Sequence, residues 1–177
     1  MANTSNTTRK RKPQQAIDTT LGHLPPQAVD VEKVVLGALM IDADAFSIVS
    51  EILAPETFYE PRHQKIYRAI QALNMKEQPV DMVTVCEELK HEGTHDEVGA
   101  PTYIIDLTQS VASSANVEYH SHILAQKYMA RQLISYASNV ETKAFDEAQD
   151  VDELMQEAEG SLFELSQRNM RQDYTQI

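Results

Sequence analysis

Histidines and carboxylates are the side chains in this sequence that could bind a metal ion or exchange protons. The six histidines are His23, His63, His91, His95, His120 and His122. His120 and His122 are two residues apart in a helical stretch, so they point to different sides and cannot share a metal ion. His91 and His95 have the four-residue spacing of one helix face, but Gly93 breaks the helix between them. The histidine spacing therefore predicts no metal site.

Neighbouring acidic residues are the other candidates for proton transfer. Examples are the pairs Glu87–Glu88, Asp150–Asp152 and Glu157–Glu159. All three lie in helical patterns, which favours solvated helix faces over acid–base dyads. The sequence has no P-loop and no G-x-S-x-G or C-x-x-C pattern, and HEGTH at 91–95 has the letters of H-E-x-x-H but carries the glycine that breaks the helix this motif needs. We therefore expect this stretch of chain to bind proteins, without catalysis and without a cofactor or metal of its own.

Two further residue types have both a chemical and a structural interpretation. Tyr67, Tyr103 and Tyr128 could stack on nucleobases, but apolar helical surroundings without nearby cations favour core or interface packing. The single Cys86 lies in an apolar helical pattern, which predicts a small buried hydrophobe. A single cysteine also excludes a disulfide framework and is typical of a reducing compartment.

Charge and hydropathy narrow the functional class further. The net charge is −12, but residues 1–12 carry four basic side chains and no acid, so the remaining residues carry 11 basic and 27 acidic side chains. An acidic body repels phosphate backbones, which disfavours direct binding of DNA or RNA by the folded part. Residues 1–23 are predicted to be a disordered basic tail, with nucleic-acid contact or targeting as alternatives. Neither a membrane span nor a secretory signal is found, so we expect a cytoplasmic protein.

The apolar spacing predicts helices throughout the chain. Expected helices cover about 28–40, 43–53, 62–76 and 101–109, and another is capped by Asp81 and stopped by Gly93. Val80 and Val85 have the spacing of a hydrophobic staple around that cap. Gly37 lies beside the apolar face of the first helix, which predicts close approach of another helix. These elements form a predicted compact helical head at 24–110.

The chain changes character after this head. Residues 116–145 contain no Gly or Pro, which predicts one long helix, and Asp150 caps a further helix of about 18 residues. We expect an all-α protein in which a long antiparallel helical hairpin, 114–168, follows the head. The apolar surface of the first hairpin helix is too broad for one partner helix, so the hairpin either folds back on the head or pairs with a second copy.

Pairing with a second copy is the preferred alternative. The residues predicted at this oligomer interface are Ile123, Leu124, Tyr128, Ile134, Ala137, Leu154, Ala158, Leu162 and Leu165. Charged substitutions at Ile123 or Ile134 are expected to give monomers if these side chains face the partner.

Five ordered motifs carry a resemblance to a known family. The stretch LPPQAVDVEKVVLGALM has Pro25, Pro26, Glu32, Leu36 and Gly37 at characteristic positions, and LAPETFYEPRHQKIYRAIQAL, PVDMVTVCEELKHEG, SANVEYH and ARQLI follow in order. Together they resemble the N-terminal domain of the bacterial replicative DNA helicases of the DnaB family. The resemblance covers 24 to about 168. One departure is Gly99-Ala100, where the family often has two glycines.

The resemblance implies a function for the fragment. In that family the domain forms a non-catalytic collar, in which hairpins pair and six copies assemble as a trimer of dimers. The collar is where the C-terminal domain of primase docks, and a helicase loader is a further possible partner. A linker, begun here by 169–177, and a RecA-like ATPase domain that uses ATP and magnesium would follow. The residues that contact primase are not identified by the resemblance.

Two other functional classes stay open at this point. One is a stand-alone acidic helical adaptor or inhibitor without an ATPase domain. The other is a small helical enzyme that uses the acidic pairs, which would show itself by ligand-dependent thermal stabilisation.

Overall fold

The computed structural model describes residues 22–173, with side chains described as far as Arg168. This part of the chain is entirely helical, which confirms the predicted all-α fold of a head followed by a hairpin. Residues 1–21 of the predicted tail and 174–177 of the predicted linker start lie outside it. The helices are α1 (Val29–Ile41), α2 (Ala45–Ile52), a 3₁₀ turn (Pro55–Thr57), α3 (Pro61–Met75), α4 (Met82–His91), α5 (His95–Val98), α6 (Thr102–Gln109), α7 (Val117–Ala144) and α8 (Val151–Asp173).

Helix α4 shows how local sequence sets the element boundaries. The Asp81 side chain accepts hydrogen bonds from the backbone N–H groups of Val83 and Thr84 at 2.8 and 2.9 Å. The hydroxyl of Thr84 in turn accepts from the N–H of Asp81 at 3.0 Å. At the other end Gly93 has φ 72, the left-handed conformation that glycine adopts without strain. Both predicted signals of this helix are confirmed.

Helix α1 is the centre of the head core. Val35, Leu36 and Leu39 are fully buried, and α1 packs against α2, α3, α6 and α7. The approach of α6 depends on Gly37, because a Cβ at that position would lie 2.4 Å from the carbonyl oxygen of Leu107 and 2.5 Å from Val111 Cγ2. The predicted close approach at this glycine is therefore confirmed, and its partner is α6.

Helix α7 belongs to both the head and the hairpin. Val117, Ser121 and Leu124 are buried against the head, whereas the later turns of α7 pair with α8. The Tyr136 hydroxyl donates to the carbonyl of Ala158 at 3.0 Å, and Lys143 forms an ion pair with Glu157. Residue numbers therefore increase along α7 in the direction in which they decrease along α8, as in an antiparallel hairpin. The first turns of α7 therefore pack on the head.

Short elements were harder to anticipate than long ones. The four-residue α5 and the 3₁₀ turn were not predicted, because one helical turn carries no apolar repeat. Pro101 lies immediately before α6 and not at its first position as predicted. No helix among residues 22–173 is both long and apolar enough to span a bilayer.

Candidate protein interface on the helical hairpin

A buried carboxylate fixes the segment that links the 3₁₀ turn to α3. Glu32 on α1 accepts hydrogen bonds from the backbone N–H groups of Tyr59 at 2.5 Å and Glu60 at 3.3 Å. Its second oxygen lies 2.6 Å from Nδ1 of His63, and both side chains are fully buried. Three donors therefore satisfy one carboxylate that would be costly to bury alone.

His63 extends this network to α6. Its Nε2 lies 2.6 Å from the hydroxyl oxygen of Tyr103, and the guanidinium of Arg62 lies 3.9 Å from the centre of the Tyr103 ring. Burial raises the pKa of the Tyr103 hydroxyl above its usual value of 10.0, so this phenol is a poor nucleophile. The order carboxylate, imidazole, hydroxyl serves here to hold α1, α3 and α6 together.

Sequence reasoning missed this network, although signals for it were present. Glu32 and His63 both lie in motifs that carry the family resemblance, but nothing in their spacing shows that they touch. The expected absence of cations near the tyrosines was wrong for two of them, because Arg62 stacks on Tyr103 and Arg131 lies 5.5 Å from the Tyr128 ring. Tyr67 is fully buried in the core.

Arg131 makes the polar link between hairpin and head. Its guanidinium donates to the carbonyl of Pro26 at 2.8 Å and to that of Thr57 at 2.6 Å. The rings of Tyr59 and Tyr128 lie 5.6 and 5.5 Å from the guanidinium carbon. Burial lowers the pKa of Arg131 below its ordinary value, but an arginine remains charged. One side chain of α7 thus joins two separate segments of the head.

Beyond Arg131 the hairpin has an apolar side that the chain itself leaves uncovered. Leu133 is 44% exposed and Ile134 46% on α7, while Met155 is 57% and Leu162 46% exposed on α8. Successive residues turn about 100° around a helix, so Leu133, Ile134 and Ala137 share one side of α7, and Met155 and Leu162 share one side of α8. None of these residues lines the groove that lies between the two helices, so we infer that the two sides adjoin on the other side of the hairpin. We call these five residues the hairpin apolar face.

The opposite side of the hairpin is polar. A groove of about 300 Å³ lies there between the two helices. It is lined by Gln132, Ser135, Tyr136, Asn139, Ser161, Glu164, Leu165 and Arg168. The hairpin is therefore amphipathic as a unit, with one side that favours water and one that favours a partner.

The structure divides the nine residues predicted at the oligomer interface. Ile134, Ala137 and Leu162 are exposed on the hairpin apolar face, whereas Leu133 and Met155 belong to this face and were left out of the prediction. Pairing through this face stays a prediction, because it involves a second copy.

The other predicted interface residues contact their own chain. Leu124 is 1% exposed in the head core, which corrects its assignment to a surface between copies. Leu154 is 8% exposed, so it too is buried within its own chain. The half-buried residues are Ile123, Tyr128, Ala158 and Leu165. Helical spacing shows which residues share a side, but not which neighbour covers that side.

Four of the six carboxylates in the acidic pairs have structural partners, and one of them is the Glu157 carboxylate that pairs with Lys143. Glu87 pairs with Lys90 at 2.7 Å, and the side chain of Asp150 caps the N–H of Glu153 at 3.0 Å. Glu88 departs from the predicted solvated face, because it is buried and accepts from Lys76 at 2.7 and 2.8 Å. Within residues 22–173 no cluster of His, Cys, Asp and Glu has a metal-binding arrangement.

Cys86 is buried as predicted, and burial raises the pKa of its thiol above the ordinary 9.0. A raised pKa keeps the thiol protonated near neutral pH, which suits a packing role.

Known proteins are similar to this chain in sequence and in fold. The family described as "DnaB-like helicase N terminal domain" matches residues 24–126. The replicative DNA helicase DnaB of Rhodothermus marinus is 42% identical over 163 residues, covering 92% of this chain and 17% of the relative. The replicative DNA helicase DnaC of Bacillus subtilis is 39% identical over 145 residues, covering 82% and 32%. The chain thus spans a third or less of the length of these relatives.

A solved structure gives the same result. The crystal structure of the N-terminal domain of DnaB helicase from Mycobacterium tuberculosis matches with a TM-score of 0.75 at 33% identity. The match covers 78% of this chain and 99% of that one. These similarities support the predicted resemblance and lend nothing to the adaptor or small-enzyme alternatives.

Proposed function

The chain belongs to the family of DnaB-like helicase N-terminal domains, and from this membership we propose that it is the non-catalytic collar of a hexameric replicative helicase. Its part is to hold copies together and to dock the C-terminal domain of primase, in the bacterial cytoplasm. Unwinding of duplex DNA with ATP and magnesium would belong to the rest of the protein. A helicase loader is a further proposed partner.

The hairpin apolar face is the observation that carries the proposed self-association. A fully exposed Leu, Ile or Met contributes about 1.5–3 kcal/mol when it is buried, and these side chains are about half exposed. Roughly 1 kcal/mol per side chain is therefore still available to a partner. A two-fold dimer brings the same face from each copy into one four-helix bundle. Each of these side chains is then buried once in each of the two copies.

A matched pair of substitutions on α7 tests this assembly. Leu133 lies on the hairpin apolar face, and Ser135 lines the polar groove on the opposite side, about 160° around the same helix. We expect Leu133→Glu to give monomers at micromolar concentration, because it buries an unpaired charge in the bundle. Ser135→Glu keeps the dimer. Mass from light scattering separates the two results.

The outcomes distinguish the proposal from its alternatives. Wild-type protein that is monomeric at these concentrations would contradict the proposed pairing. Equal masses for all three proteins above the monomer would place the contact elsewhere on the surface. Titration of the same three proteins with the C-terminal domain of primase then tests docking, which we expect for the dimeric proteins.

A further inference from the structure

The hold of the head on α7 weakens along the helix. Val117, Ser121 and Leu124 are buried, whereas Tyr128 is half-buried and Leu133 is exposed. Apolar packing alone therefore fixes the position of the first turns of α7 well. It fixes poorly the direction in which the helix leaves the head. A side chain near residue 130 has the greatest influence on where the rest of the hairpin points.

Arg131 occupies this position and bonds in two directions. Its two nitrogens reach the carbonyls of Pro26 and Thr57, which lie in separate segments of the head. Two charge-assisted bonds to a planar guanidinium restrict rotation as well as distance. The flanking rings of Tyr59 and Tyr128 limit the guanidinium further.

One acceptor of these bonds, the carbonyl of Thr57, is itself held in place. Glu32 binds the N–H groups of Tyr59 and Glu60, two and three residues after Thr57. The Thr57 hydroxyl accepts from the N–H of Ala54 at 3.1 Å, and Thr57 is buried. The Thr57 carbonyl that Arg131 binds therefore belongs to a segment of the head that is fixed by several hydrogen bonds.

We propose that Arg131 is the positioning residue that sets the direction in which the hairpin leaves the head. This inference rests on the proposed pairing of hairpins only for its biological consequence, because the direction of the hairpin decides where each head lies in an assembly. From Arg131 to Ala144 the helix runs about 20 Å further and pairs with α8, so a small tilt at Arg131 displaces the tip several-fold more than the base. We expect the head to fold and α7 to pair with α8 without this side chain.

Distances between spin labels on the head and the hairpin tip test this role. The labels are placed by Met75→Cys and Ala148→Cys, both at exposed positions, in full-length chain that carries Cys86→Ala. Labelled protein is diluted into excess unlabelled protein, so that distances within one chain are measured. Arg131→Met is expected to broaden the distance distribution and shift its mean, with helical content and light-scattering mass unchanged.

Two further variants complete the experiment. Arg131→Lys keeps the charge but loses the planar fork, so an intermediate broadening is expected. Lys127→Met is the matched control, because Lys127 lies one turn earlier on α7 and has no hydrogen bond or ion pair to another described side chain. It is expected to keep the narrow wild-type distribution.

The result that overturns the inference is a narrow, unshifted distribution in Arg131→Met. Broadening of the same size in Lys127→Met would also overturn it, since any cation on α7 would then serve. If Arg131→Met does not fold, a wild-type distribution in Arg131→Lys decides against the inference. A monomeric wild type would contradict the proposed pairing and leave this distance measurement intact.

Discussion

At the scale of single residues, buried polar groups hold the head together at a few points. Glu32 is the most connected of them, because it binds two backbone N–H groups and the His63 ring in a site without water access. Such a group contributes little compared with an apolar side chain of its size, but its loss leaves several donors unpaired.

Glu32→Ala is therefore expected to destabilise the protein by about 3–5 kcal/mol, the range for breaking a buried charged pair. The measurement is denaturant unfolding followed by circular dichroism. Asp30→Ala is the control on the same helix, because Asp30 is exposed and, within the described part of the chain, pairs with Lys33 alone. Equal stabilities for the two variants would show that the buried network is dispensable.

At the scale of helices, one glycine is required by packing and another is not. Gly37 lets the backbone of α6 approach α1, and a Cβ would overlap the carbonyl of Leu107. Gly160 lies in α8 with open space around its missing Cβ, so it has no comparable packing role.

These surroundings give Gly→Ala substitutions opposite signs. Gly37→Ala is expected to cost about 1–3 kcal/mol through overpacking, more than the helix gains from alanine. Gly160→Ala is expected to stabilise the chain by up to about 1 kcal/mol, since only helix propensity changes. Thermal and denaturant unfolding measure both. A stabilised Gly37→Ala would mean that α6 can move away from α1 at no cost.

The sequence predicts elements better than it predicts their neighbours. Asp81 and Gly93 mark both ends of α4, and the run without Gly or Pro marks α7, because these signals act within a few residues. Leu124 shows the limit, since it shares an apolar pattern with Ile134 but faces the head. The Glu32–His63 pair spans 31 residues, and no local rule joins two such positions.

At the scale of the whole molecule, charge sets which partners are compatible. The chain carries a net −12, and the excess of acid lies entirely beyond its first twelve residues. Long-range repulsion of phosphates by such a surface does not depend on details of the fold.

We therefore expect residues 24–177 to show no binding to single-stranded DNA in fluorescence anisotropy at low salt. The full chain is the comparison, because it adds the one strongly basic run of the sequence, at residues 9–12. Any binding by the full chain is expected to weaken with added salt and to vanish on deletion of residues 1–23. Salt-sensitive binding that survives the deletion would contradict this expectation.

Because α7 is continuous, the number of residues in it fixes the rotation of the distal hairpin relative to the head. Head and hairpin share one uninterrupted helix, so a single residue inserted between Arg131 and Leu133 would turn the distal hairpin by about 100° relative to the head. Seven inserted residues would return it to within about 20° of its starting orientation, at the cost of added length. Insertions that a surface loop absorbs freely would here rotate the hairpin apolar face relative to the head.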